Sequence, residues 1–128
     1  MNILIVDAAS DEIFLTLIID KNIYTCTHEN SKINFEKLIV LIDDFLKNNK
    51  SSLNEINTIY VNRGPGSFAG IRNSLSTIKA LFLTKKIDYY CFSFDDFNES
   101  EKNKYVDVPQ FCKKYKIKKN LINPIYLS

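Results

Sequence analysis

Residues 63–72, Arg-Gly-Pro-Gly-Ser-Phe-Ala-Gly-Ile-Arg, hold all three glycines and both arginines of a 128-residue chain. Two glycines around a proline make a tight turn that can use positive φ, and Gly70 lets the next helical turn approach a neighbour closely. Free N–H groups at such a helix start can hold an anion, so phosphate binding is the first chemistry to weigh. The spacing narrows it. No Gly-Lys-Ser/Thr follows, which excludes a P-loop. The order G-x-G-x-x-x-G, with Asp88 opening the next strand instead of ending it, fits a dinucleotide fingerprint poorly. Ser67 sits in no G-x-S-x-G elbow, and the one histidine, His28, lies far upstream, so a serine nucleophile has no obvious base.

Asp7, at the end of an apolar run, is a candidate metal carboxylate, but no second acid stands beside it in sequence and a structural role is expected. Cys26, Cys91 and Cys112 are odd in number and lack a C-x-x-C pair, which supports neither a disulfide framework nor a zinc ribbon. Buried reduced thiols are expected instead. Cys26 and His28 share one face of a strand, yet two ligands fall short of the three or four that zinc takes. No catalytic residue and no metal ligand is assigned.

The composition is skewed toward Lys, with fifteen against two Arg, and toward Asn and Ile. The net charge of +2 hides an asymmetry. Residues 1–101 carry ten basic and fourteen acidic side chains, whereas residues 102–128 carry seven Lys against Asp107 alone. The run Lys113 to Lys119, KKYKIKK, is either a contact for an RNA backbone or an acidic partner, or a solvated polar segment. No apolar run reaches the length of a membrane helix and MNILIVDAAS lacks a basic n-region, so a cytoplasmic protein is expected.

The elements that position these residues follow from periodicity. Residues 2–7, 12–19 and 22–28 read as three strands of an antiparallel meander. Phe35, Leu38, Ile39, Leu41, Ile42, Phe45 and Leu46 recur at helical spacing after Ser31 or Asn34 as cap. Residues 58–62 form a fourth strand running into the glycine stretch, residues 68–84 a helix capped by Ser67, and residues 88–92 a fifth strand. A helical turn is expected around residues 94–97, a short helix at 109–115 and an extended tail from 120 to 127. Three antiparallel strands followed by β-α-β predict an α/β fold of the ribonuclease-H-like type, a mixed five-stranded sheet in the order 3-2-1-4-5.

The first helix carries an apolar arc of roughly 160°, wider than the ≳ 100° stripe that one core needs. In the second, Ile71, Leu75, Ile78 and Phe82 form the core stripe, while Asn73, Ser76, Thr77, Ala80 and Leu83 form a small, nearly uncharged far side. Leu38, Leu41, Ile42 and Phe45 of the first helix and those five of the second are the expected partner interface. The alternative is that another part of the same chain covers that side.

GPGSFAGIR closely resembles GPGSFTGLR, the signature of the TsaB (YeaZ) family, a subunit of the bacterial machinery that makes threonylcarbamoyladenosine at position 37 of tRNA. ILIVDAAS is similar to the family's ILAIDTS opening, and THENSKINFEKLIVLIDDFL to its helix after a histidine. Pro124-Ile125-Tyr126-Leu127-Ser128 is similar to its PVYLR ending. Ala69 stands where the family has Thr, Asn73 and Ser74 where Ile and Gly are usual, and Ala8 and Ala9 depart from the opening motif.

The resemblance implies an actin-like (ASKHA) lobe over residues 1–98, with residues 99–128 as a basic tail left from a largely missing second lobe. It implies a non-catalytic scaffold that pairs through its two helices with the homologous catalytic subunit TsaD. ATP, threonylcarbamoyl-AMP and the metal are then expected on partner subunits, not on this chain. It further implies tRNA as the substrate of the complex, a TsaE-like ATPase as a second partner, and a homodimer through the same face when TsaD is absent. In the motif loop, Arg63, Gly64, Pro65, Gly66, Ser67, Phe68, Gly70 and Arg72 become a structural turn and docking element. The alternative from another class is a small enzyme of this fold, a protease or nucleotide-handling activity, using Asp7 and the Gly64–Gly70 loop.

Overall fold

The computed structural model describes residues 1–126. Strands β1 (Asn2–Asp7), β2 (Glu12–Ile19) and β3 (Asn22–Glu29) form the meander, and β4 (Thr58–Asn62) and β5 (Asp88–Phe92) extend the sheet. The order is β3-β2-β1-β4-β5, with β1–β2 and β2–β3 antiparallel and β1–β4 and β4–β5 parallel. The sheet agrees with the predicted order.

Alternation along the strands sends side chains to both faces. On one face Leu4, Val6, Leu15, Leu17, Ile59, Val61 and Tyr89 pack against α1 (Lys32–Glu36), α2 (Leu38–Asn48) and α3 (Phe68–Lys85). On the other, Ile5, Tyr60 and Phe92 pack against Phe97, Val108, Phe111 and Cys112. These last come from 3-10 turns between residues 94 and 107 and from α4 (Val108–Lys114). The basic segment thus forms the third layer of the fold, and an apolar face that would otherwise meet water is covered by it.

The single helix expected over residues 35–46 is two. Ser31 caps α1 by accepting from the Asn34 N–H at 3.3 Å, and Lys37, at φ −111° and ψ 25°, separates α1 from α2. The break lets Phe35 pack against Gly70 of α3 while α2 takes its own course over the sheet. In α3 the buried stripe is Ile71, Ser74, Leu75, Ile78 and Leu81, whereas Phe82 is half-buried and meets Tyr89 edge-on. Lys86, in the left-handed region, ends the helix by donating to the Phe82 carbonyl at 3.1 Å.

After α4 the chain runs along the open edge of β5. Tyr90 bridges to Lys119, the Asn120 N–H donates to the Tyr89 carbonyl at 2.8 Å, and the Tyr89 N–H donates back to Asn120 Oδ1 at 2.9 Å. That edge is closed to further strand pairing over those residues.

Candidate functional site

The glycine loop lies against the turn after β1 and against the C-terminal segment. A Cβ at Gly66 would overlap the Ala9 carbonyl oxygen, one at Gly70 the Ala8 carbonyl oxygen, and one at Gly64 the Ile125 carbonyl oxygen. Gly64 also sits at φ 111°, a region that side chains avoid. The Gly64–Pro65 peptide is cis. Three close approaches therefore account for the only three glycines of the chain.

Three of the loop's amides donate to protein acceptors. The Gly64 N–H donates to Asn62 Oδ1 at 2.9 Å, the Ser67 N–H to the Ala9 carbonyl at 2.8 Å, and the Gly70 N–H to Ser67 Oγ at 3.2 Å. Four consecutive donors aimed at one anion are not what this loop offers. Ser67 acts as helix cap, with no base beside it in its hydrogen bonds.

Arg63 is a tie across three segments. Its guanidinium donates to Asp96 Oδ1 at 2.7 Å and to the Asn123 carbonyl at 3.0 Å, and its own carbonyl accepts from the Ile125 N–H at 2.7 Å. Arg72 is exposed and lines a groove with Lys79, Leu83 and Tyr126. Pro65 is exposed, and the exposed ring of Phe68 packs on Tyr126 with centroids 4.6 Å apart.

Of the interface residues read from the sequence, Leu38, Leu41, Ile42 and Phe45 are buried in the chain's own core. They face the sheet and α3, so the excess apolar arc of α2 is carried by the exposed Ile39 and Val40 instead. On α3, Ser76, Ala80 and Leu83 are exposed, while Asn73 and Thr77 are half-buried and bond back to the Ala69 and Asn73 carbonyls at 2.7 and 2.8 Å. Ile122 and Tyr126 approach part of this side, so the chain covers a portion of it itself. Leu127 and Ser128, the end of the PIYLS motif, lie outside the described residues.

A second feature lies where the parallel strands end. A cleft of about 260 Å³ is lined by Asp7, Asn62, Ser93, Asp95, Lys102 and Tyr105 among others, at the carboxyl ends of β1, β4 and β5. Open α/β sheets bind ligands at this place. Here Asp7 is buried and both its oxygens are engaged: Oδ1 accepts from the Ala9 N–H at 3.0 Å and Oδ2 from the Tyr105 hydroxyl at 2.5 Å. Burial, and then the Asp7 charge, raise the Tyr105 hydroxyl far above the ordinary tyrosine range, so it stays a neutral donor. Lys102 is held by Glu99 at 3.0 Å and Asp95 at 3.4 Å.

Sequence reasoning placed Asp7 but not Tyr105, Lys102 or Asp95, because they reach the cleft through irregular turns that no periodicity marks. Cys26 and His28 do share a face, with Sγ and Nε2 3.7 Å apart on the edge strand β3. Among the described residues no group of three or more His, Cys, Asp or Glu is placed to hold a metal ion. Cys91 and Cys112 are buried free thiols, each pushed up to about 12 by burial.

A family model described as TsaD, tRNA N6-adenosine threonylcarbamoyltransferase, matches residues 28–93. Two proteins from Buchnera aphidicola named tRNA threonylcarbamoyladenosine biosynthesis protein TsaB are 40% identical (strain Bp) and 31% identical (strain Sg) to this chain. The chain belongs to the TsaB (YeaZ) family. The two matches cover 44% and 71% of this chain but only 29% and 43% of the relatives, so it aligns with less than half of their length. YeaZ from Pseudomonas aeruginosa superposes with a TM-score of 0.66 at 18% identity, over 72% of this chain and 43% of that one. A protein with similarity to peptidase YeaZ from the same organism gives 0.67 at 16% identity, over 81% and 49%. At those identities the superpositions establish the fold, an ASKHA-like lobe, which the strand order also gives.

Proposed function

We propose that this chain serves threonylcarbamoyladenosine synthesis on tRNA, in the cytoplasm, as a non-catalytic docking subunit. It pairs with a TsaD-like catalytic subunit through the outer surface of its α1–α3 layer. The observation that carries the reading is that Ile33, Ile39, Val40, Phe68 and Leu83 are exposed by 39 to 69% on this one layer. Beneath them the core is already filled, and folding of the chain alone leaves these side chains largely uncovered, with Tyr126 reaching only Phe68 and the groove beside Leu83. Single exposed apolar residues are ordinary, but several on one helical layer mark a surface for another protein. Without the partner, the same surface supports pairing of two copies. A TsaE-like ATPase belongs to the same proposed assembly.

ATP, the threonylcarbamoyl adenylate and the metal belong in this reading to the partner subunits. The strand-end cleft does not fit a nucleotide as it stands: its volume lies below the roughly 300–1,000 Å³ of small-molecule sites, and Asp7 is engaged by Ala9 and Tyr105. The alternative enzyme, using Asp7 and the glycine loop, has less support for the same reason.

Reconstitution tests the reading. The purified TsaD-like subunit is assayed for tRNA modification with and without this chain, and modification is expected to depend on it. Equal modification without the chain ends the docking role.

A further inference from the structure

A second cleft, of about 420 Å³, opens on the sheet face opposite α1–α3, between β4, β5 and the chain reversal after α4. Its floor is aromatic. The rings of Tyr60 and Tyr90, neighbours across β4 and β5, lie with centroids 5.1 Å apart and planes 9° from parallel. Tyr60 is buried and its phenol is pushed up to about 12, chiefly by that burial, so it remains a neutral hydrogen-bonding group.

The rim is cationic. The backbone turns at Lys116, at φ 56°, where its N–H donates to the Lys113 carbonyl at 3.3 Å, which sets both lysines on the same cleft. Both side chains are exposed. Neither is in an ion pair among the described residues, whereas their neighbours Lys114 and Lys119 are tied to Glu101 at 2.7 Å and Asp88 at 3.6 Å. Of the five lysines of this run the fold thus pairs two, and of the remaining three Lys113 and Lys116 line the cleft.

We infer that this cleft binds single-stranded RNA, a base stacking on the Tyr90 side of the tyrosine pair while Lys113 and Lys116 meet the flanking phosphates. An acidic peptide or an anionic lipid surface would use the lysines but has no need of a stacked aromatic pair, whereas a base has a π-face that extends the stack on the side of Tyr90 turned from Tyr60. The volume falls in the range that takes a nucleotide-sized group. The inference does not rest on docking to a TsaD-like subunit, because the cleft and the α1–α3 layer lie on opposite faces of the sheet.

Fluorescence anisotropy with the full chain and a fluorescein-labelled single-stranded RNA of about twelve nucleotides, over about 50 to 300 mM salt, tests it. Saturable binding that weakens with salt is expected. Lys113→Gln with Lys116→Gln is expected to weaken it at least about ten-fold, and to make the log–log salt slope shallower by roughly 1.4, about 0.7 for each lost phosphate contact. Tyr90→Leu, in a chain whose circular dichroism is unchanged, is expected to weaken binding roughly ten-fold at an unchanged slope. No saturable binding at the lowest salt overturns the inference. So does a double lysine variant within about two-fold of the natural chain, or binding to anionic-lipid vesicles but not to RNA.

Discussion

Gly70 shows how one side chain's absence can fix a fold. The Ala8 carbonyl oxygen sits where its Cβ would be, and the Phe35 ring lies 3.3 Å from that point, so α3 begins as close to the turn after β1 as backbone allows. Adding a methyl group must push α3 or the turn away. Gly70→Ala is expected to destabilise the chain by about 2 kcal/mol, the usual cost of overpacking a tight contact, read as a lower urea midpoint at unchanged slope. The sequence displayed this residue through its rarity, since a chain with three glycines keeps them only where nothing else fits. What the sequence could not display was the neighbour each glycine meets, because Ala8, Ala9 and Ile125 are 57 to 62 positions away and are brought there by the fold. Tyr105 is the opposite case. Nothing in its local sequence marks it, yet it completes the hydrogen bonding of Asp7, 98 residues earlier.

At the scale of elements, hydrophobic periodicity read the strands and α3 closely, since each has a buried face of regular spacing. It did not see the break at Lys37, because Leu38, Leu41, Ile42 and Phe45 continue, beyond the change in backbone direction, the apolar spacing that Phe35 begins before it. It also assigned those four to a partner, for an apolar arc does not say which part is covered by the chain's own sheet. The segment after β5 was least legible. Its order comes from specific polar contacts: Glu101 accepts from the Asn98 N–H at 2.9 Å, from Lys114 Nζ at 2.7 Å and from the Tyr115 hydroxyl at 2.5 Å. These donors, Lys114 first, hold the Glu101 carboxyl down to about 2, from an ordinary value of 4.5. A folded-state value below the unfolded one means that the unfolded chain binds more protons in this window, so stability is lost as pH falls from about 4.5 to about 2. Thermal melts across that range are expected to show the loss. Glu101→Gln is expected to be less stable at neutral pH and to lose less on acidification, whereas parallel pH profiles would separate Glu101 from the acid response.

The whole molecule has two unlike faces on one sheet. The α1–α3 layer carries exposed apolar residues and the opposite layer leads into the Lys113–Lys119 run, with the glycine loop tying the strand ends to both through Arg63, Asp96 and Asn123. The strand-end cleft between them has its carboxylates already partnered. Function in this account therefore lies on surfaces, with the α1–α3 surface as its centre. The most direct test is co-purification and light scattering of the chain with its cognate TsaD-like subunit, beside the variant Val40→Asp with Leu83→Glu. Both positions are exposed, so the variant is expected to fold and melt like the natural chain. A stable one-to-one complex is expected for the natural chain and separate elution for the folded variant; a complex of undiminished stability in the variant, or none with the natural chain, rules out docking through this surface.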